Sequence, residues 1–496
     1  MPQNAIITNN ALYHPARDGP AAFKSNVNDF QVVLPGSGLA YTAAAKWYGW
    51  NTWPLGYDRA TGRNASKEET GINSAGVAIS DTETIFNSDG ALKADPYLND
   101  TGLVEDSLTS VLLPQARSAR HGVQLLAQLI ASKGNGEGFG SIFADSSEAW
   151  YLETASGHHF LAQRVPDDKY FVSANQGRFQ EANLADAANV VASPGLLKFA
   201  KDHKLWDPSQ GPFNFFRAFH TDTPADHRSS YPRLCALQSF FGGQSNASCW
   251  ASLPLSPVFL KASRKLSLWD MFAALRHHNE GTPQDPYGAR NPRATTRPVA
   301  VLRQPVVHVT RMLPKQLPGG GRSQGRAGSS ARPDGLSAIN YLAFCFARLS
   351  PFIPIYRGTP GDALPPNLVS AGPTPDPVSL CWRARRLQAI VFQDWPRLAP
   401  AATQAIRAFE QQVENVERPA LEARYIAALK RPGGARAAAA ELASFTTSVA
   451  WRAGDLLAEL TAGAARQLGL QGVPPDDVLQ RWLNEAEDKY HFKSQG

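Results

Sequence analysis

Residues 138–176 read GFGSIFADSSEAWYLETASGHHFLAQRVPDDKYFVSANQ, and the fold follows from how this stretch is parsed. Four runs rich in aromatic and β-branched residues, 141–145, 149–154, 159–165 and 170–175, suit a pleated, half-buried surface. Between them lie Ser146-Ser147, Ala155-Ser156-Gly157 and Pro166-Asp167-Asp168, which are turn chemistry. The expectation is an antiparallel meander with Ser173, Asn175 and Gln176 emerging together at one end of the sheet. That end is a natural place for a site.

Working outward, residues 71–84, GINSAGVAISDTET, have the same character. Val77 and Ile79 alternate with Ala78 and Ser80 as a strand requires, and the small residues let another layer approach. Asn73 stands at the mouth of that strand.

The rest of the chain frames these strands. Strands are expected at 5–8 and 30–34, then helices at 103–113 and 116–132, the second capped by Lys133-Gly134. Beyond the meander, Ser193-Pro194 predicts a helix start. A loop region rich in Phe, Asp and His follows, then a helix over 266–278 and strand over 297–312. Residues 315–334 are a low-complexity insert unable to bury a core. Strand resumes at 338–349 and 353–357, and residues 379–496 are helical and alanine-rich. This gives two regions, 1–378 and 379–496.

Composition narrows the class. At 496 residues and 43% hydrophobic, the chain has ample material for a large core. No apolar run reaches the roughly 18 residues of a membrane span, and MPQNAIITNN has no leader pattern, so a cytoplasmic protein with no membrane partner is expected. The net charge of +6 is spread thinly over the sequence. A mildly basic surface explains it better than a nucleic-acid groove, although the Gly/Arg-rich 319–332 stretch offers a weaker nucleic-acid reading. The four cysteines, Cys235, Cys249, Cys345 and Cys381, form no CxxC pair, which argues against a metal cluster or a disulfide framework. Homo-oligomerisation stays open.

Familiar catalytic signatures are absent: no HExxH, no phosphate-binding loop, no dinucleotide fingerprint. Gly321-Arg-Ser323-Gln-Gly325 spells a hydrolase elbow but has no preceding strand to strain the turn. His220, Asp222, Asp226 and His227 match no standard metal spacing and read as loop hydrogen-bonding groups. His158-His159 sits at a hairpin, where one ring should face the core and the other solvent. A packed strand histidine is the plainer reading, a pocket-lining one the alternative.

Residues 71–84, Leu113-Pro114 with Ser118-Ala-Arg120, Trp150-Tyr-Leu-Glu-Thr154, Gly157-His-His159, Arg164-Val-Pro-Asp-Asp168 and Ala174-Asn-Gln176 together resemble peptidase family C69, the cysteine dipeptidases. Arg276 with Glu280-Gly-Thr282, Arg297-Pro298 and Trp382-Arg-Ala-Arg-Arg-Leu-Gln-Ala389 extend the likeness over most of the chain. The resemblance implies an α+β fold, the four-layer αββα sandwich of N-terminal-nucleophile hydrolases, with the C-terminal helices appended. It implies hydrolysis of short unblocked peptides with no cofactor and no metal. A terminal Cys thiolate would attack the peptide carbonyl while its own α-amine, with a pKa of about 7.7 to 8.0, moves the proton. Asn73 and Asn175 would then stabilise the oxyanion or orient that amine, and His158, His159 and Arg297 would border the pocket.

The chain departs from the family pattern at its start. Members open with Cys-Thr-Thr, then a hairpin and a segment like Ile-Ala-Arg-Asn-Glu-Asp. Here Ile6-Ile7-Thr8-Asn9-Asn10-Ala11 stands for that segment, with Thr8 and Ala11 in place of its Arg and Asp. The resemblance therefore predicts a missing nucleophile and a silent chain. The alternative is a degenerate homologue that binds small peptides or has only a structural role.

Overall fold

Eight strands follow one another across a single sheet in chain order: β1 (Ile7–His14), β2 (Tyr41–Tyr48), β3 (Ser66–Asn73), β4 (Ala78–Thr82), β5 (Gly140–Ala144), β6 (Ala149–Thr154), β7 (Phe160–Arg164) and β8 (Val190–Ala192). Every neighbouring pair is antiparallel. The computed structural model describes residues 7–48, 57–58, 63–64, 66–82, 85–243, 246–288, 295–302, 304, 306–313, 332–370 and 375–490. The elbow around Ser323 and most of the low-complexity insert lie outside the described residues.

Side-chain alternation divides the sheet into two apolar faces. Ala43, Val77, Ile79, Phe143, Trp150, Leu152 and Phe160 point to one side, where they form a core with Leu108 and Leu112 of helix Glu105–Leu112 and Val123, Leu126 and Ile130 of helix Ala119–Lys133. The second helix starts on the Ser118 hydroxyl, which accepts from the His121 N–H, and ends at Gly134 with φ +70°. It lies close to the sheet because Gly122 has no side chain: a Cβ there would sit 2.5 Å from the Phe143 ring. Both helices occur where the apolar spacing predicts them.

The opposite face meets a second, three-stranded antiparallel sheet, β9 (Val306–Met312), β10 (Ala338–Phe344) and β11 (Ile353–Tyr356). Ile72 and Ala78 of the large sheet form a small cluster with Ala338, and Met312 packs against it. Ala11 and Ala44 join the core that β9–β11 share with the C-terminal helices Leu380–Val391, Trp395–Gln412, Arg418–Leu429, Gly434–Gln467 and Asp476–Tyr490. All seven residues of β10 are buried, so it is covered on both faces. Glu414, in a π-helical turn over Val413–Glu417, ties this layer together. Its carboxylate accepts from Arg311 at 2.7 Å and from the Tyr341 hydroxyl at 2.7 Å, and lies 2.8 Å from Arg418.

Four local expectations change. The run 170–175 is not the neighbour of β7: only Tyr170–Phe171 is strand, it pairs with Phe259–Leu260, and Val190–Ala192 takes the place beside β7. Ser193 does not cap a helix; Gly195, in the left-handed region, precedes Leu196–Asp202, and the Ser193 hydroxyl instead bonds the His159 ring at 2.8 Å. The Phe/Asp/His-rich region is not loop throughout, since it holds the 19-residue helix Pro224–Gly242. Finally, Cys235 and Cys249 form a disulfide, because that helix and the short helix Asn246–Ala251 turn back on each other; Cys345 and Cys381 are buried thiols outside any disulfide.

Candidate active site

Strand register separates the two asparagines. Asn73 closes β3 opposite Tyr41, at the end of the sheet shared by Ala78, Ala144 and Ala149. Glu153 closes β6 at the other end, opposite Gly140, and the loop after residue 171 is fastened there. Register thus sets Asn73 and the Glu153 anchor of the Asn175 loop at opposite ends of the sheet.

Asn73 is committed to the main chain. Its Nδ2 donates to Leu113 O at 2.8 Å and Ala116 O at 2.6 Å, while its Oδ1 accepts from the N–H groups of Ala75 and Val77, both at 3.0 Å. Both amide hydrogens and the carbonyl are occupied in building the β3–β4 turn and docking it on the segment after helix Glu105–Leu112.

Asn175 sits in a clamped loop. The wholly buried Glu153 carboxylate accepts from the N–H of Arg178 at 2.6 Å and of Phe179 at 3.0 Å, with His220 Nε2 3.4 Å away. Gly177 is needed in between, since a Cβ there would lie 2.1 Å from the His220 ring. The Arg178 side chain reaches back to Val172 O at 3.1 Å and across to Pro257 O at 2.7 Å. Burial pushes its guanidinium down to about 10, with the Glu153 charge opposing. Residues 172–178 are thus held at both ends, and Asn175 is fixed at a crest.

That crest faces helix Pro224–Gly242. Ser230 donates its hydroxyl to Asn175 O at 2.9 Å, and Arg233 Nη2 donates to Asn175 Oδ1 at 2.7 Å. Arg233 is further aligned by Ser229, donating through Nε to its carbonyl at 2.7 Å. The helix start is fixed by a capping box in which Thr223 and Asp226 exchange hydrogen bonds, with Pro224 in the first turn. Arg297 is anchored on the same helix through its own N–H, which donates to Arg228 O at 2.9 Å. Burial, and then the neighbouring Arg297 charge, lower the Arg233 guanidinium well below its ordinary value. Burial lowers Arg297 as well. Along the same helix lies a pocket of about 510 Å³, bordered by Pro232, Ala236, Phe240 and Trp250 and by a polar set that includes Ser239, His277, Asn279, Thr282, Gln284 and Thr296.

The two hairpin histidines have other tasks. His158 Nδ1 bonds Asp95 Oδ1 at 2.8 Å, and its side chain stays 40% exposed. His159 stacks on Phe199 with ring centroids 4.1 Å apart, and burial lowers its pKa. Their partners belong to the walls around β6 and β7, whereas Arg297 is tied to the helix that faces Asn175. In the 220–227 cluster, His227 pairs with Asp222 at 3.0 Å and Asp226 caps its helix.

Arg233, Arg178 and Glu153 were not singled out by residue pattern. One readable signal existed: Thr223-Pro-Ala-Asp226 has the spacing of a capping box ahead of a helix, and would have moved Arg233 from loop to helix. Nothing local announces Arg178 or Glu153, whose roles arise from long-range pairing.

The comparisons agree with this architecture. The sequence model of peptidase family C69 matches residues 3–408. A probable dipeptidase of Salmonella dublin is 41% identical over 344 residues, covering 68% of this chain and 72% of the relative. A probable dipeptidase of Latilactobacillus sakei is 31% identical over 336 residues, 67% of this chain and 64% of its own length. A dipeptidase of Bifidobacterium longum is 30% identical over 372 residues, 69% and 64% respectively. With a match running from before β1 through helix Trp395–Gln412, on a mixed helix-and-sheet fold, the chain belongs to peptidase family C69.

Proposed function

We propose that this chain is the scaffold of a dipeptidase that hydrolyses short unblocked peptides by N-terminal cysteine chemistry. The carrying observation is the Asn175–Arg233 hydrogen bond at 2.7 Å, on a loop clamped by Glu153 and Arg178 and facing the helix whose Pro232, Ala236 and Phe240 border a pocket of about 510 Å³. The layering supports an αββα sandwich: the helices 105–112 and 119–133 lie on one face of the large sheet, and the small sheet with its helices covers the other. The relatives' names supply the reaction class.

In this reading Asn175 is the amide that meets the oxyanion, held by Arg233, and Asn73 acts only through the turn it builds. The reaction asks for no cofactor, since the terminal amine of the nucleophile serves as base. None of the chain's own cysteines suits that role: Cys235 and Cys249 are bonded to each other, and Cys345 and Cys381 are buried and internal. Burial raises the Cys345 thiol well above its ordinary value, the reverse of activation. Among the described residues no helix is long and apolar enough to cross a membrane. The disulfide favours an oxidising compartment over the cytoplasm expected from sequence.

The test is amino-acid release from dipeptides by the purified chain, with and without a Cys-Thr-Thr hairpin fused ahead of it. Turnover of dipeptides by the fused form is expected. Failure of the fused form to cut any dipeptide would leave the non-catalytic homologue as the better reading.

A further inference from the structure

Resting on the dipeptidase reading, we infer that Arg233 and Arg297 together form the subsite for the substrate's free C-terminal carboxylate, with Asn175 fixing the orientation of the first guanidinium. Several half-buried arginines elsewhere in the molecule have acidic partners. Arg276 meets Glu410 at 2.6 Å, Arg418 meets Glu414 and Glu422 at 2.8 and 2.7 Å, and Arg386 meets Asp476 at 2.7 Å. Arg178 instead is consumed by backbone carbonyls. Among the described residues neither Arg233 nor Arg297 has a carboxylate within ion-pair distance, although both are half-buried and Arg297 is tied by its N–H to the Arg228 carbonyl of the helix that carries Arg233.

Guanidinium groups hold their proton strongly, so two of them half-buried at one helix without a carboxylate partner are an unsatisfied demand for an anion. Side-chain placement makes the demand specific. Asn175 Oδ1 holds one Nη2 of Arg233, and Ser229 holds Nε, which sets the plane of the fork. Ala236 and Phe240 follow Arg233 at i+3 and i+7, so they lie on its helical face, and both border the pocket. Thr296, the residue before Arg297, borders it from the other side. An anion on the arginine pair would therefore carry its attached side chain toward the neighbouring pocket, where Pro232, Ala236, Phe240 and Trp250 offer an apolar wall beside polar groups for the C-terminal residue of a dipeptide. A carboxylate is planar and bidentate, as the guanidinium fork is.

Calorimetric titration of the full chain with Ala-Phe and with Ala-Phe amide tests the assignment. The acid should bind at least about tenfold more tightly than the amide, a gap of about 1.4 kcal/mol. Arg297→Gln should bring the acid's affinity down to that of the amide, with the thermal unfolding midpoint checking that the variant is folded. Arg297→Lys, which keeps charge but loses the fork, should recover part of the preference. Equal binding of acid and amide by the unaltered chain, or a preference that survives Arg297→Gln, would overturn the subsite. The dipeptidase reading is judged separately: a Cys-Thr-Thr fusion that cuts acid and amide peptides with equal kcat/KM sinks only the subsite. Absence of both binding and turnover sinks the two together.

Discussion

The amide of Asn73 has two hydrogens and a carbonyl, and all are spent inside the protein on main-chain partners. Removing it leaves two buried carbonyls and two N–H groups of the turn to find water or go without. Asn73→Ala should cost about 3 kcal/mol, since each unsatisfied buried group carries roughly 1 to 3 kcal/mol and the turn can relax in part. Urea denaturation measures this, and peptide affinity of the folded fraction should be little changed. A loss of stability below about 1 kcal/mol, or a collapse of affinity in folded protein, would move Asn73 from the turn to the substrate. Asn175 differs in kind, because its carbonyl is held by a side chain that itself belongs to the site.

Helix Pro224–Gly242 is the element on which the site depends most, for it carries Ser229, Ser230 and Arg233 along one stretch. Its far half is secured by the Cys235–Cys249 bond and by the small core of Val172, Tyr231, Leu234, Phe241 and Ala274. Cys235 is two residues from Arg233, so freeing the helix here should disturb the guanidinium as well as the fold. A cross-link closing 14 residues contributes on the order of 3 kcal/mol in the chain-entropy picture. The double variant Cys235→Ser, Cys249→Ser should therefore unfold at lower temperature and bind Ala-Phe more weakly. Non-reducing peptide mapping provides the direct check: tryptic peptides carrying Cys235 and Cys249 should run as one mass.

At the scale of the whole molecule, the layers set the pH response. His308 of β9 lies between the large sheet and the C-terminal helices, where burial pushes its pKa down from 6.5 to about 4, with Glu69 opposing weakly. The folded state thus holds this ring neutral while the unfolded chain protonates it near 6.5. Its contribution to stability is intact above that pH and is lost progressively as pH falls toward 4, by about 3 kcal/mol in total. Denaturation midpoints followed from pH 7 to pH 4 should show this slope, and His308→Gln should flatten it. A slope unchanged in the variant would place the sensitivity elsewhere.

What the residues determined alone is local and periodic. The helix over 119–133 with its Ser118 and Gly134 ends, the strands β5 to β7, the buried β10 and the C-terminal helices each write their pattern into ten or fifteen consecutive positions. The family resemblance was legible for the same reason, as short runs quoted in order. What tertiary structure alone decided is which strand stands beside β7, that Cys235 finds Cys249, and that Asn73 and the Glu153 anchor of the Asn175 loop lie at opposite ends of the sheet. These depend on pairings between segments tens of residues apart. Glu153 holds the Asn175 loop only because β6 brings a carboxylate beneath two N–H groups some 25 residues later in the chain, and Arg297 nears Arg233 only through a backbone bond to Arg228. Periodicity describes which face of an element is buried; it does not say what arrives there, and a site is made of the arrivals.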